Sequence, residues 1–161
     1  MQLIEIKKNT FNVILDLKYA SEDNILGKKV FQENRCFLLE NAAEKLLDAI
    51  NIAKDIGYKF KIFDAYRPSY VQEALWNFDP NPNFLSDPKK GSPHTKGIAI
   101  DLTLIDFNGN ELDMGTKFDD FTKNAYHLSK EINKNAKINR RLLLLVLAFH
   151  IGVVLQILIM L

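Results

Sequence analysis

A single cysteine, Cys36, rules out an intrachain disulfide and any thiolate-rich metal cage, and nothing beside it in sequence suggests an activated nucleophile. Charge of one sign is equally scarce, since 21 basic and 20 acidic residues leave a formal net charge of +1. That balance sets up no global field to draw in nucleic acid or an anionic membrane. Pairs such as Lys28-Lys29 and Lys89-Lys90 therefore read as solvated surface. The N-terminus carries an early acid, Glu5, and no apolar run of signal-peptide length, which makes the cytoplasm the expected compartment. Before the last apolar stretch there is no internal repeat and no low-complexity block.

What remains is ordinary globular composition, 47% hydrophobic and 25% charged over 161 residues, enough for one domain with its own core. Asn41-Ala-Ala-Glu44 has the form of a capping box and opens a run with Ala43, Leu46, Leu47, Ile50 and Ala53 at helical spacing, stopped at Gly57. Tyr58 to Ile62 alternates like a half-buried strand and continues into Phe63. Pro68 suits the start of a second helix with Tyr70, Val71, Ala74 and Leu75 inward. Four of the five prolines fall between Phe78 and Pro93, which predicts a long functional loop. From Ile98 to Leu104 apolar residues alternate, leaving Ala99, Asp101 and Thr103 on the other face, and Asn108-Gly109 predicts a hairpin returning through Glu111 and Leu112. The expected fold class is α+β, with helices packed on a small, largely antiparallel sheet.

Two segments carry chemistry. In Ser92-Pro-His94-Thr-Lys-Gly97-Ile-Ala-Ile-Asp101 an imidazole and a strand carboxylate flank a glycine. Both donor types suit zinc, and a catalytic zinc takes three protein ligands and one open position. His94 and Asp101 would supply two, with donor atoms within about 3 to 4 Å of each other, as bond lengths near 2 Å require. Taken alone, the same pattern also fits a loop histidine beside an aspartate paired with some other cation. In Asp64-Ala-Tyr-Arg67-Pro68, at a strand-to-helix junction, Arg67 can aim fixed donors at an oxyanion or carboxylate. It is expected to point into the same cleft as the pair.

Together these segments resemble the D-alanyl-D-alanine dipeptidases, zinc peptidases of the cell-wall carboxypeptidase fold. The resemblance rests on D-A-Y-R-P (Asp64 to Pro68), S-x-H-x-x-G-x-A-x-D-L-T (Ser92 to Thr103) and M-G-x-x-F-D (Met114 to Asp119). An earlier D-x-K-Y-A-x-x-D-N (Asp16 to Asn24) and a later N-R-R (Asn139 to Arg141) also fit. The resemblance implies zinc on His94 and Asp101, transition-state stabilisation by Arg67, and Tyr19, Ser92 and Asp119 around a small dipeptide, D-Ala-D-Ala. A carboxylate there makes physical sense, because an exopeptidase for dipeptides must recognise a free ammonium group. The bland alternatives for Tyr19 and Asp119 are a core tyrosine and a turn aspartate.

The pattern breaks after Arg141. The family continues with a helix, a glycine-aromatic turn and E-x-x-H, whose glutamate is the general base and whose histidine is the third zinc ligand. This sequence has no glutamate after Glu131, and its one later histidine, His150, sits in an apolar run with no acid three residues before it. The expected division is a zinc peptidase-like domain over 1–141 and an aberrant apolar tail over 142–161. The tail reads either as an altered C-terminal helix with scrambled sequence beyond it or, as the lesser alternative, as a membrane segment entered at Arg140 and Arg141. The expected function is a zinc-dependent D-Ala-D-Ala dipeptidase, impaired by the absent base and ligand. The alternative is a non-catalytic remnant or a membrane-tethered peptide-binding protein.

Overall fold

The computed structural model describes residues 2–148. Five short strands, β1 (Leu3–Glu5), β2 (Ile14–Leu15), β3 (Phe37–Leu39), β4 (Lys59–Asp64) and β5 (Asp101–Ile105), are interleaved with four helices. The helices are α1 (Lys8–Phe11), α2 (Glu40–Asp55), α3 (Ser69–Phe78) and α4 (Lys134–Ala148). The fold is α+β. One sheet is the antiparallel pair β1-β3, and the other runs β2-β4-β5. The sheets are largely antiparallel as expected, with β2 beside β4 as the one parallel pairing among the described strands.

Strand β4 lies at the centre of its sheet and feeds the site. Its residues alternate until Ile62, after which Ile62, Phe63 and Asp64 are all buried. The register against β5 shifts between Ile62 and Asp64, an irregularity of the bulge kind, and it sets Asp64 directly opposite Asp101. In β5 every residue is buried, so the face bearing Asp101 and Thr103 is not a solvent face. The hairpin after β5 is short. Asp106 accepts from the Asn108 and Asn110 backbone N–H groups, Ile105 bridges Glu111, and the Leu112 N–H reaches the Leu104 carbonyl.

Helix α2 forms where its apolar stripe predicts, with Ala42, Ala43, Leu46, Ala49, Ile50 and Ala53 buried. Two details differ from expectation. No capping box closes its N-terminus, because β3 runs straight into the helix and Asn41 falls inside the first turn. The Glu40 N–H instead reaches the Gln2 carbonyl. Leu47 lies beyond the edge of the stripe and is exposed. In α3, Val71 and Leu75 are buried as expected, but Tyr70 is exposed and Gln72 is buried in its place for polar reasons given below.

The two cores divide the labour. The larger one joins α2, β4 and β5 to α4 through Leu143, Val146 and Leu147, and the smaller gathers Tyr19, Phe31, Val71, Leu75 and Leu85 under the proline-rich loop. The expected division after residue 141 thus falls inside α4, whose following residues pack in the main core. His150 and the rest of the apolar run, 149–161, lie outside the described residues. Among the described residues, no helix is long and apolar enough to cross a membrane.

Leu143→Ala should therefore cost about 2–5 kcal/mol of folding stability, the usual range for a fully buried leucine. Leu145→Ala, at a position 58% exposed, should stay within about 0.5 kcal/mol. Urea unfolding of both variants checks this, and equal small effects would mean that this part of α4 is not docked.

Candidate metal centre

His94 is presented by a tight turn. The Ser92 hydroxyl accepts from the His94 N–H (3.2 Å), the Gly97 N–H reaches the His94 carbonyl (3.0 Å), and the Arg67 N–H donates to the same carbonyl (3.1 Å). Gly97 is required for two reasons. Its φ is +69°, and a Cβ there would lie 3.0 Å from a Leu3 methyl and 3.3 Å from the Leu39 nitrogen. The turn is thereby pressed onto the β1-β3 pair, and the Leu39 N–H bonds to the Gly97 carbonyl (2.8 Å).

The ring of His94 is oriented by the backbone. Its Nδ1 lies 2.8 Å from the Ala65 carbonyl oxygen, which can only accept, so Nδ1 carries a proton and, in the neutral ring, Nε2 presents a lone pair. Nε2 faces Asp101 Oδ1 at 3.5 Å. Both atoms are buried, and neither has a hydrogen-bond partner among the described residues. Two acceptors facing each other in the interior repel unless a cation lies between them. Ligands about 2.05 Å from a tetrahedral zinc would be about 3.3 Å apart, so the pair fits a metal ion.

Asp64 is the third carboxylate-or-imidazole group of a cluster whose candidate ligand atoms lie within 4.8 Å of one another. Its position argues for a supporting role. Asp64 Oδ2 accepts from Arg67 Nε at 2.7 Å and lies 3.4 Å from His94 Nδ1, the side of the ring away from Asp101. Burial pushes the Asp64 carboxyl above the usual range, opposed chiefly by the Arg67 guanidinium.

Arg67 is fully buried between these groups. Of its five N–H donors, one goes to Asp64, one to Gln72 Oε1 (3.0 Å) and one at longer range to Asp101 Oδ2 (3.4 Å), so two are uncommitted among the described residues. Gln72 in turn donates to the Ser86 carbonyl (2.9 Å), which ties the proline-rich loop to the site. Burial disfavours the Arg67 cation, but Asp64, Tyr19 and Asp101 more than offset this and hold its pKa above the ordinary value. The guanidinium also stacks over the Tyr19 ring at 4.7 Å.

Tyr19 joins this group to the last candidate. Its hydroxyl donates to Asp119 Oδ1 at 2.8 Å, and burial pushes that hydroxyl well above its usual pKa, so it remains a donor. Burial likewise pushes the Asp119 carboxyl up to about 6, against the Tyr19 hydrogen bond and the Arg67 charge. Asp119 adopts φ 60°, uncommon for a residue with a side chain. It lines a cleft of about 650 Å³ together with Phe63, Lys18 and Lys61, whereas His94, Asp101 and Arg67 lie buried off its wall.

All six residues singled out in the sequence are thus placed. His94, Asp101 and Arg67 meet in one buried cluster, Tyr19 and Asp119 form a bonded pair beside it, and Ser92 supports the His94 turn. Sequence reasoning assigned no role to Asp64 or Gln72. The signal for Asp64 was its place three residues before Arg67 at a strand end. Gln72 gave none beyond following Pro68 by one helical turn.

An imidazole nitrogen and a carboxylate held face to face, with a guanidinium alongside, form an arrangement suited to a metal-assisted hydrolase. The chain matches the D-ala-D-ala dipeptidase family of peptidases over residues 1–149 and belongs to it. It is 43% identical over 129 residues to the D-alanyl-D-alanine dipeptidase of Escherichia coli, covering 80% of this chain and 67% of that protein. The enzyme of the same name from Enterococcus faecium is 33% identical over 147 residues, covering 78% and 73% of the two chains. That from Streptomyces coelicolor is 25% identical over 147 residues, with the same shares.

Removing the carboxylate in Asp64→Ala leaves a buried guanidinium without its shortest partner, and should cost about 3–5 kcal/mol of stability. Denaturant unfolding of the metal-free protein measures it. A loss below 1 kcal/mol, by the scale of exposed pairs, would mean that the ion pair is open to water.

Proposed function

We propose that this chain carries a zinc-dependent dipeptidase site for D-alanyl-D-alanine, with His94 and Asp101 as two metal ligands. The observation that carries this is the pair of facing, partnerless acceptors, His94 Nε2 and Asp101 Oδ1, at 3.5 Å. Zinc bound there would polarise the scissile carbonyl and lower the pKa of a bound water. Arg67, with two N–H groups uncommitted among the described residues and its plane fixed by Asp64 and Gln72, would be aimed before reaction at the oxygen on which negative charge develops.

Asp119 takes the substrate ammonium group. Its Oδ1 is held by Tyr19, and Oδ2 takes a long contact from the Ile25 N–H at 3.5 Å, which leaves that oxygen able to receive a cation. Tyr19 orients the carboxylate, and Ser92 shapes the turn that presents His94 beside the substrate. The family relatives named D-alanyl-D-alanine dipeptidase support this choice of substrate.

The site is expected to be impaired in a polypeptide of these 161 residues. No glutamate follows Glu131 to serve as the general base, and no E-x-x-H follows Arg141 to complete the ligand set. General-base assistance is typically worth about 10² to 10⁴ in rate, and a third ligand accounts for much of a catalytic zinc's affinity. Purified chain assayed for released D-alanine in excess zinc should show little or no turnover. Robust turnover abolished by His94→Ala would overturn the impaired reading, and absence of any zinc binding sensitive to His94→Ala or Asp101→Ala would overturn the metal site itself.

The raised pKa of Asp119 gives a pH dependence of definite sign. The carboxyl is ionised only above about 6, so affinity for the dipeptide should climb by about tenfold per unit as pH approaches that value and level off beyond it. Because the folded pKa lies above the ordinary value of 3.8, this group's contribution to stability is present below 3.8 and lost as pH rises through about 6. Calorimetric titration from pH 4.5 to 8 should show the step in the parent, and Asp119→Asn should flatten it.

A further inference from the structure

Arg140 is one of the largest fully buried side chains, and among the described residues no carboxylate is in direct contact with it, although Asp113 and Asp120 lie near enough to favour its charge. A buried guanidinium with no carboxylate in contact is costly, and a side chain needed only to fill space would be better apolar. Its bonds all go to one loop. Nε donates to the Met114 carbonyl (2.7 Å), Nη1 to the Tyr126 carbonyl (2.8 Å) and Nη2 to the Thr116 hydroxyl (3.3 Å). One guanidinium on α4 thus clasps both ends of the segment 114–126.

The neighbouring contacts serve the same segment. Asn139 Nδ2 donates to the Asp113 carbonyl (2.8 Å), and Asn133 Nδ2 to the Asp113 carboxylate (2.8 Å). Gly115, at φ +86°, lies so close to α4 and the turn leading into it that a Cβ would meet Ile132 at 2.9 Å and Ala136 at 3.0 Å. Between the clasped ends the segment carries Phe118, its ring tilted against those of Tyr19 and Phe63, and then Asp119. A left-handed φ at a residue with a side chain persists only where the surroundings over-determine it. The clasp supplies that constraint.

We propose that Arg140 is a positioning residue for the Asp119 carboxylate, closing the loop 114–126 from α4 so that the carboxylate is held against Tyr19 and turned to receive an ammonium group. This rests on the reading of Asp119 as the ammonium site. It assigns a role to N-R-R, a motif that neither the metal centre nor the oxyanion arginine uses.

The test compares D-alanyl-D-alanine with N-acetyl-D-alanyl-D-alanine in NMR titrations of the full chain, with chelator present so that no hydrolysis occurs. The parent should prefer the free amine, and Asp119→Asn should lose that preference. Arg140→Lys and Arg140→Gln should lose about tenfold or more of it, because a displacement near 1 Å is costly at such a site. Their zinc affinity, measured against a competing chelator, should change by less than about threefold, since sites without shared partners act independently.

A merely structural arginine would lower the melting temperature and leave the amine preference intact. That outcome, with the parent and Asp119→Asn behaving as stated, overturns the proposal alone. A parent with no preference overturns the Asp119 reading and the proposal with it. Should both Arg140 variants fail to fold by circular dichroism, Asn139→Ala loosens the same loop more gently. It should lose about threefold of the preference, the usual worth of one hydrogen bond, and an unchanged preference would again overturn the proposal.

Discussion

Everything at the centre of this molecule follows from placing two carboxylates side by side in the interior. The shift of register between β4 and β5 sets Asp64 opposite Asp101, both buried, where like charges directly across a sheet repel. Arg67 is the structural answer. It sits three residues beyond Asp64 at the mouth of α3, bonds Asp64 at 2.7 Å and approaches Asp101 at 3.4 Å. One guanidinium balances one of the two charges. The remainder is directed toward Asp101 Oδ1 and the lone pair of His94, the place where a divalent cation fits.

This balance also explains how the elements are tied together. The Arg67 N–H and the Gly97 N–H share the His94 carbonyl, so the arginine and the histidine are coupled through backbone as well as charge. Gln72 extends the guanidinium network to Ser86, and with it the loop from Phe78 to Pro93 acquires a fixed edge despite holding little regular structure of its own. His94 Nδ1 on the Ala65 carbonyl settles which nitrogen faces inward. A short stretch, Asp64 to Arg67, thus supplies a counter-charge, a ring-orienting carbonyl and a buried, fixed guanidinium.

The sequence was legible where local rules decide. The apolar stripe of α2, strand β4, the helix after Pro68 and the Asn108-Gly109 turn all follow from period and turn chemistry, and five ordered motifs led to the family. It was less legible where neighbours decide. Asn41 has the right chemistry for a cap, but β3 enters the helix without a loop, so the capping position falls to Leu39. Gln72 lies at a helical position that period alone would leave unassigned, and its burial depends on Arg67. The pairing of Asp64 with Asp101 requires the shift in register, which no spacing in the chain reveals. The apolar run after Arg141 reads as a unit in sequence, yet its first part is divided by α4 into buried Leu143, Val146 and Leu147 and exposed Leu145.

Selection for a free amine can be argued from burial. An ionised Asp119 is disfavoured by its surroundings, as its rise to about 6 indicates, and Tyr19 compensates for only one oxygen. If Asp119 receives the ammonium group, a ligand carrying that charge restores the missing interaction, while one with a blocked amine leaves a buried carboxylate unpaired. Discrimination then comes from the penalty on the wrong ligand more than from attraction to the right one, the mechanism by which a polar site rejects an analogue most strongly. The cleft of about 650 Å³ is roomy, so its size excludes little. On that reading, limiting the substrate to a dipeptide would fall to the separation between Asp119 and the metal-facing atoms, and that separation is only as constant as the loop that carries Asp119.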